Sequence, residues 1–188
     1  MCEPRRVHWV AAKHILRYLQ GTVDYGLDYR QGDGVTLAGY TDSDWAGCAS
    51  DRKSTSGCCF GLHSAVVSWF SWKQQSVALS SAEAKYMAAS LASCEAIWLR
   101  KMLFGLFVQP LRPSMIYCDN QSCIKLAENP VFHDWSKHTG IKYHFIRDYV
   151  QKGVVKLSIF PLISRLQIFL LKPYHGANMS TLETRWKW

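Results

Sequence analysis

The feature that most restricts the fold of this chain is a change of pattern at Ser80. Before it, four short runs rich in Val, Trp, Tyr and Phe are divided by glycine-containing turns, which is typical of antiparallel strands: YGLDYR, VTLAGYTD, SGCCFGL and AVVSWFSWKQ. After it comes SSAEAKYMAASLASCEAIWLRKMLFGL, a long Ala- and Leu-rich stretch that favours a helix capped by Ser80 or Ser81. Packing a sheet against such a helix predicts a mixed α/β layer fold.

The remaining segments add elements on both sides of these strands and this helix. Apolar residues recur at helical spacing from Val7 to Leu19, and we expect Gly21 to end that first helix. Beyond the long helix, the pattern predicts a strand, a short helix, an amphipathic helix and a final strand, in SMIYCDN, QSCIKLAEN, SKHTGIKYHFIRDYVQKG and VVKLSIF. This order is typical of an α/β fold whose sheet is covered by helices.

The charge balance favours a polyanionic partner. Lys and Arg outnumber Asp and Glu by 22 to 14 among 188 residues, which gives a net charge of +8 and a pI near 9.2. Nucleic acid is the first such partner to consider, although an indifferent basic surface has the same composition. No apolar stretch reaches membrane-spanning length and no signal-peptide pattern opens the chain, so we expect an intracellular protein without a membrane partner.

The cysteine pattern argues against zinc and against a disulfide framework. Seven cysteines are present, which is an odd number, and no two of them form a C-x-x-C pair. Buried free thiols in a reducing compartment are the simpler expectation for this chain.

Three carboxylates stand where predicted elements begin or end. Asp42 and Asp119 each end a predicted strand, and Glu83 lies in the first turn of the long helix. Hydrolysis of a phosphodiester requires its charge to be neutralised and a hydroxide to be generated, which two Mg²⁺ ions about 4 Å apart achieve with Asp and Glu oxygens as ligands. By spacing alone, solvated or capping carboxylates explain the same pattern, so both interpretations stay open.

Longer motifs are more specific than the isolated carboxylates. From about Val7 to Leu157 the chain resembles the ribonuclease H region of copia-type retrotransposon Pol polyproteins, in motifs that include GYTDSDWAGCASDRKSTSGCCF, VSWFSWKQQSVALSSAEAKYMAAS, IYCDNQSCIKLAENPVFHDWSKH and YHFIRDYV. The resemblance implies a ribonuclease H-like α/β fold with a five-stranded mixed sheet flanked by helices. It also divides the chain into the end of the reverse transcriptase (1–22), a ribonuclease H-like domain (23–160) and an aberrant tail (161–188). The chain would then be a fragment without the polymerase palm.

The resemblance also implies a reaction. Members of this family cut the RNA strand of an RNA–DNA hybrid during reverse transcription, with four carboxylates and two Mg²⁺ ions, for which Mn²⁺ can substitute. Asp42 matches the first carboxylate and Asp119 the third, whereas Asp44 is expected to be a turn residue or to lie just behind the ligands. The expected partners are the hybrid or another nucleic acid and the reverse transcriptase domain of the parent polyprotein, in the cytoplasm or in a virus-like particle.

The second carboxylate position departs from the family pattern S-S-x-E-A-E-Y. This chain has Glu83 and then Lys85 where the second Glu belongs, and the family register, in which x-x-Ala follows the catalytic Glu, points to position 85. Residues two apart on a helix point about 200° away from each other, so one does not readily substitute for the other. Glu83 is the best surviving candidate ligand, and an ammonium at position 85 would repel Mg²⁺ and could pair with Asp42 or Asp119.

The C-terminal region departs further. The family continues into a helix with Q-x-A-D-I, whose Asp is the fourth carboxylate, but Glu183 is the only acidic residue here beyond Asp148. Read one frame away, codons for Ser158 to Lys172 can encode that missing motif, which suggests a frameshift near Leu157 and a degraded final helix. We therefore expect little or no hydrolysis.

A second set of residues is expected to touch nucleic acid. Arg52, Lys53 and Ser54 join a basic pair to a hydroxyl in DRKSTSG, and Lys73 and Asn120 extend the set. A solvated turn between strands is an equally good interpretation of the first three. At the level of the whole chain, the alternatives to an impaired nuclease are a non-catalytic nucleic-acid-binding remnant and an unstable relic.

Overall fold

A computed structural model of the chain, which describes residues 5–29, 36–63, 65–108, 111–129 and 145–160, contains a five-stranded sheet and helices. In chain order the elements are α1 (Arg6–Gly21), β1 (Leu37–Ser43), β2 (Thr55–Leu62), β3 (Ala65–Lys73), α2 (Ser81–Phe107), β4 (Ser114–Cys118), α3 (Gln121–Glu128), α4 (Phe145–Gln151) and β5 (Val155–Ile159). From β1 onwards this order agrees with the sequence pattern. No helix of the described residues is long and apolar enough to cross a membrane.

The sheet combines an antiparallel meander with two parallel crossovers. Its strand order is β3-β2-β1-β4-β5, with β1–β2 and β2–β3 antiparallel and with β4 parallel to both β1 and β5. The long helix α2 makes the crossover from β3 to β4, and α3 and α4 lie between β4 and β5. This topology confirms the ribonuclease H-like fold, and it brings the carboxyl ends of β1 and β4 to the same edge of the sheet.

Small side chains let α2 lie close to the sheet. A stripe of fully buried alanines runs along the helix, at Ala84, Ala88, Ala89, Ala92 and Ala96. On the sheet side, the Phe60 ring is fully buried and passes so close to Gly39 that a Cβ built on Gly39 would lie 2.7 Å from the Cζ of Phe60. The Phe60 ring therefore occupies the space over Gly39, and a methyl group added at Gly39 would overpack the layer.

One predicted strand is absent over the part of it that the structure describes. Residues 25–29 of the YGLDYR segment have no regular secondary structure, and the side chains of Tyr25, Leu27 and Tyr29 are exposed. The Tyr29 hydroxyl donates a hydrogen bond to the Val66 carbonyl at 2.8 Å, but none of residues 25–29 belongs to a strand. High strand propensity does not make a strand without a neighbour to pair with.

The structure describes the first of the predicted terminal segments but not the last. Helix α1 ends at Gly21 as expected and contains no buried residue, which is compatible with a segment apart from the sheet. The proposed tail, 161–188, and the first part of the amphipathic helix predicted over SKHTGIKYHFIRDYVQKG lie outside the described residues. The boundaries at 22 and 160 therefore stay predictions.

Candidate active site

Two of the three predicted carboxylates lie side by side because β1 and β4 are parallel neighbours. Asp42 is the penultimate residue of β1, and Asp119 directly follows Cys118, the last residue of β4. The register pairs Tyr40 with Tyr117, two residues before each aspartate. The carboxyl ends of adjacent parallel strands thus carry both acidic side chains to one edge of the sheet.

A single ammonium joins these two aspartates. The Lys85 Nζ donates to Asp42 Oδ1 at 3.0 Å and also hydrogen-bonds to Asp119 Oδ1. Asp42 is almost completely buried and its Oδ1 also accepts the backbone N–H of Ser43 at 2.8 Å, whereas Asp119 remains 37% exposed. The site is therefore a charge-paired triad with one buried and one solvent-facing acid.

The charge of Lys85 is stabilised by this pairing. Its side chain is only 15% exposed, and burial on its own would lower the pKa of the amine. The hydrogen bond to Asp119 and the charge of Asp42 outweigh burial, so the pKa of Lys85 is raised above its ordinary value. At neutral pH the group facing both carboxylates is an ammonium ion.

Glu83 lies two residues from Lys85 and serves the start of α2. Its Oε2 accepts the backbone N–H of Leu79 at 2.7 Å, and its own N–H donates to the Ser80 Oγ at 3.1 Å. Ser80 is thus the N-cap of α2, as anticipated from the sequence, and the Glu83 carboxylate binds the backbone one residue before it. The structure thus brings Asp42 and Asp119 together on Lys85, and the hydrogen bonds of Glu83 with Leu79 and Ser80 lie at the helix terminus.

The residues that the structure describes do not fit a two-metal centre. In the part of the chain that the structure describes, no group of three or more His, Cys, Asp and Glu side chains could hold a metal ion. Mg²⁺ would also have to approach an ammonium that already bonds both aspartates. Two unit charges 4 Å apart repel by about 4 kcal/mol at an effective dielectric constant of ~20, and a divalent ion doubles that repulsion.

Asp44 has a structural task, as the sequence suggested. Its Oδ1 accepts the backbone N–H of Thr55 at 2.6 Å, and its own N–H donates to the Thr55 carbonyl at 3.2 Å. The carboxylate also covers Gly47, where an added Cβ would collide with it. Asp44 therefore holds the connection from β1 to the start of β2.

Two of the residues expected to touch nucleic acid support the backbone. Ser54 is fully buried, and its Oγ accepts the N–H of Ala46 at 3.1 Å inside the β1–β2 connection. Asn120 is the N-cap of α3, and its Oδ1 accepts the N–H of Cys123 at 2.9 Å. Contact between either residue and a nucleic acid stays a prediction.

The basic residues of the predicted set lie around the same connection. Arg52 is exposed and has a left-handed backbone with φ of 55°, and the N–H of Lys53 donates to Asp51 Oδ1 at 3.2 Å. Lys73, at the end of β3, pairs with Asp51 at 2.9 Å and contacts the Cys48 Sγ at 3.1 Å. A hydrogen bond from Ser50 and the nearby Lys73 lower the pKa of the Cys48 thiol, although Asp51 opposes them.

Sequence reasoning did not identify a buried arginine, Arg147, that interacts with the residue following Lys85. Arg147 of α4 is 6% exposed, and its Nε donates to the Leu126 carbonyl at 3.0 Å. It also interacts with Tyr86, next to Lys85 on α2, and burial raises the pKa of Tyr86 to about 12 although Arg147 opposes that rise. An arginine among the apolar residues of an amphipathic helix, as in YHFIRDYV, is the sequence pattern that indicates such a group.

The strand order and the pair of aspartates at the ends of β1 and β4 define a ribonuclease H-like domain. Among solved structures, the N-terminal RNase H domain of rv2228c from Mycobacterium tuberculosis is 11% identical, with a TM-score of 0.49 over 71% of this chain and 88% of that chain. No protein-family model matches the chain.

Sequence relatives identify the origin of this domain. The retrovirus-related Pol polyprotein from transposon RE2 of Arabidopsis thaliana is 41% identical over 170 residues, which are 90% of this chain and 12% of that protein. Secreted RxLR effector protein 161 of Plasmopara viticola is 52% identical over 97 residues, which are 52% of this chain and 68% of that protein. The chain belongs with the retrovirus-related Pol polyproteins of transposons and is a ribonuclease H-like domain of that family, spanning about an eighth of the length of the Pol polyproteins that it matches.

Proposed function

We propose that this chain is a nucleic-acid-binding ribonuclease H-like domain that has lost metal-dependent cleavage. The ancestral reaction is hydrolysis of the RNA strand of an RNA–DNA hybrid during reverse transcription. The observation that carries the proposal is the contact of the Lys85 ammonium with both Asp42 and Asp119. This chain keeps the fold and the two strand-end acids of a nuclease, and it holds them with a side chain that cannot activate water.

The loss of hydrolysis follows from what an ammonium lacks. Two-metal hydrolysis needs divalent ions that bind the phosphate oxygens and lower the pKa of the attacking water. An ammonium donates hydrogen bonds and carries one positive charge, but it neither coordinates a water molecule nor clamps both the attacking and the leaving oxygen. Electrostatic stabilisation of this kind contributes several kcal/mol to a transition state, so its loss reduces the rate by orders of magnitude.

Retention of binding is supported by charge and position. Affinity for a nucleic acid derives largely from contacts between Lys or Arg and the phosphates, and these need no catalytic metal. The chain carries a net charge of +8, and Arg52 and Lys53 lie in the connection that follows Asp42 and Asp44. Within a parent polyprotein the same face would meet the hybrid produced by the reverse transcriptase domain, in the cytoplasm or in a virus-like particle.

The proposal predicts binding without cleavage. With a labelled RNA–DNA hybrid, the purified chain is expected to show affinity that falls steeply with salt and does not change when EDTA replaces Mg²⁺. A double variant, Arg52→Glu with Lys53→Glu, removes two candidate phosphate contacts. The slope of the logarithm of the affinity against the logarithm of the salt concentration is expected to become shallower by about 2, since each lost contact contributes about 1. Asp148→Lys, an exposed change on α4, raises the net charge away from this connection and serves as the control.

Two results would contradict this function. Robust cleavage of the hybrid in Mg²⁺ or Mn²⁺ that disappears in Asp42→Asn would show a working nuclease. Binding that is independent of salt, or equally strong in the double variant and in the wild type, would show that the basic connection does not face a nucleic acid.

A further inference from the structure

We propose that Lys85 is a built-in counter-ion that replaces a divalent metal between Asp42 and Asp119, and that Lys85→Glu alone converts this centre into a cation site. The inference deepens the proposed function and rests on it only in treating the two aspartates as former ligand positions. It concerns metal binding and stability, which are measured without any nucleic acid.

The first support is convergence on one point. The Lys85 Nζ lies 3.0 Å from Asp42 Oδ1 and hydrogen-bonds to Asp119 Oδ1, although the two acids are 77 positions apart in the numbering of the chain. A cation held between two carboxylates is the arrangement that a hard metal ion also requires. The ammonium thus satisfies the same two oxygens that a bound ion would need.

The second support is that the Lys85 ammonium neutralises the charge of the buried Asp42 carboxylate. Asp42 is 3% exposed, and a buried carboxylate that loses the cation paired with it is strongly disfavoured. Lys85 supplies that cation from within the chain, so the folded centre needs no ion from solution. An added Mg²⁺ would have to displace an ammonium that is tethered to α2 and therefore always present.

The third support is the helix register. Glu83 forms hydrogen bonds with Leu79 and Ser80 at the start of α2, whereas the side chain at position 85 extends to both aspartates. A glutamate at position 85 starts from the same Cβ and brings a third carboxylate towards the same point. Three oxygen ligands without an ammonium form a set suited to Mg²⁺ or Mn²⁺.

The test measures binding of Mn²⁺ alone to the full chain, by the loss of the free-ion electron paramagnetic resonance signal, together with thermal unfolding in Mg²⁺. We expect no Mn²⁺ site in the wild type and an unchanged Tm when Mg²⁺ replaces EDTA. Lys85→Glu is expected to bind Mn²⁺ and to show a Tm that rises with Mg²⁺. Lys85→Gln, which removes the charge without adding a carboxylate, is the matched control and should gain little.

The binding results separate this inference from its alternatives. A Mn²⁺ site in the wild type that is lost in Asp42→Asn would overturn it, because the ammonium would then not exclude the metal. A folded Lys85→Glu variant without any Mn²⁺ site would overturn it as well. In Lys85→Glu with Asp42→Asn, the new site should weaken or vanish, and a site of unchanged affinity would mean that the metal binds elsewhere.

A failure to fold does not leave the question open. If Lys85→Glu folds only when Mn²⁺ is present, the metal has replaced the ammonium as proposed. If it folds under neither condition, the free energies of unfolding of Lys85→Met, of Asp42→Asn and of the variant that combines these two changes decide whether Lys85 is the counter-ion of Asp42. Strong coupling between the two changes supports the counter-ion role, and additive effects overturn it. The salt-dependent binding of the hybrid by the wild type is a separate measurement, so the proposed function and this inference can fail independently.

Discussion

At the scale of single residues, two aspartates in one short motif have different tasks. Asp42 is buried against Lys85, whereas Asp44, two positions later, holds the backbone of Thr55. The chemistry of the site then depends on one further residue, because an ammonium at position 85 turns a pair of acids into an ion-paired cluster. On the function proposed above, the ribonuclease H-like fold persists while charge pairing takes the place of metal binding as the support of the buried acid.

The neighbour of that lysine makes stability depend on pH. Burial raises the pKa of Tyr86 to about 12, above the ordinary value of about 10 for a tyrosine, so the folded state prefers the neutral phenol. The stability that Tyr86 contributes in this way is roughly 2–3 kcal/mol. It is fully present below about pH 10 and is lost as the pH rises towards about 12. The free energy of unfolding should fall over this range, and it should fall less steeply in Tyr86→Phe.

Denaturant unfolding at several pH values measures this difference. Other groups titrate in the same range, so only the difference between the variant and the wild type counts. Parallel curves for the two proteins would mean that Tyr86 ionises as easily in the folded state as in the unfolded state.

At the scale of elements, the start of α2 positions the site. Ser80 accepts the N–H of Glu83 and caps the helix, which begins at Ser81, four residues before Lys85. The next connection is organised in the same way, because Asn120 caps α3 directly after Asp119. Helices α2 and α3 therefore each begin with a polar side chain that accepts a hydrogen bond from a backbone N–H of the first turn.

Removal of the α2 cap should destabilise the protein measurably. Ser80→Ala leaves the N–H of Glu83 without its side-chain acceptor and is expected to cost about 1 kcal/mol in the free energy of unfolding. Ser81→Ala, at the exposed first residue of the same helix, is the matched control and should change stability far less. Equal effects of the two substitutions in denaturant unfolding would refute the capping role.

At the scale of the whole molecule, the fold depends on how closely α2 approaches the sheet. The contact is made by alanines on the helix and by residues such as Phe60 and Ile116 on the strands, all of them at most 1% exposed. The same contact holds Lys85 at the ends of β1 and β4. Packing and the geometry of the site are therefore coupled, since a shift of the helix would separate the ammonium from the aspartates.

Enlarging one alanine of this contact tests the coupling. Ala92→Leu adds three carbons to a fully buried position and is expected to destabilise the protein by about 1–3 kcal/mol. Lys101→Leu, on an exposed position of the same helix, is the control and should change stability by no more than about 0.5 kcal/mol. A tolerated Ala92→Leu would show that the layer has spare room, against the close packing described above.

Much of this protein could be predicted from short-range patterns. The helices α1, α2 and α3 and the strands β1 to β5 coincide with periodic runs, because side-chain spacing and capping residues act over a few positions. The resemblance to retrotransposon ribonuclease H also identified Asp42 and Asp119 as neighbours, which local patterns alone do not. The strand predicted at residues 25–30 was wrong over 25–29, because a strand needs a partner and its propensity contains no information about one.

The sequence by itself determined the order of the elements, the basic charge and the two acids at strand ends, since these follow from residue type and spacing. It left open which of positions 83 and 85 meets those acids. Only the tertiary structure placed Lys85 between Asp42 and Asp119 and the Glu83 carboxylate at the helix cap. The physical reason is that the direction of a helical side chain depends on the rotation of the helix against the sheet, which the packing of all the buried alanines of α2 decides together.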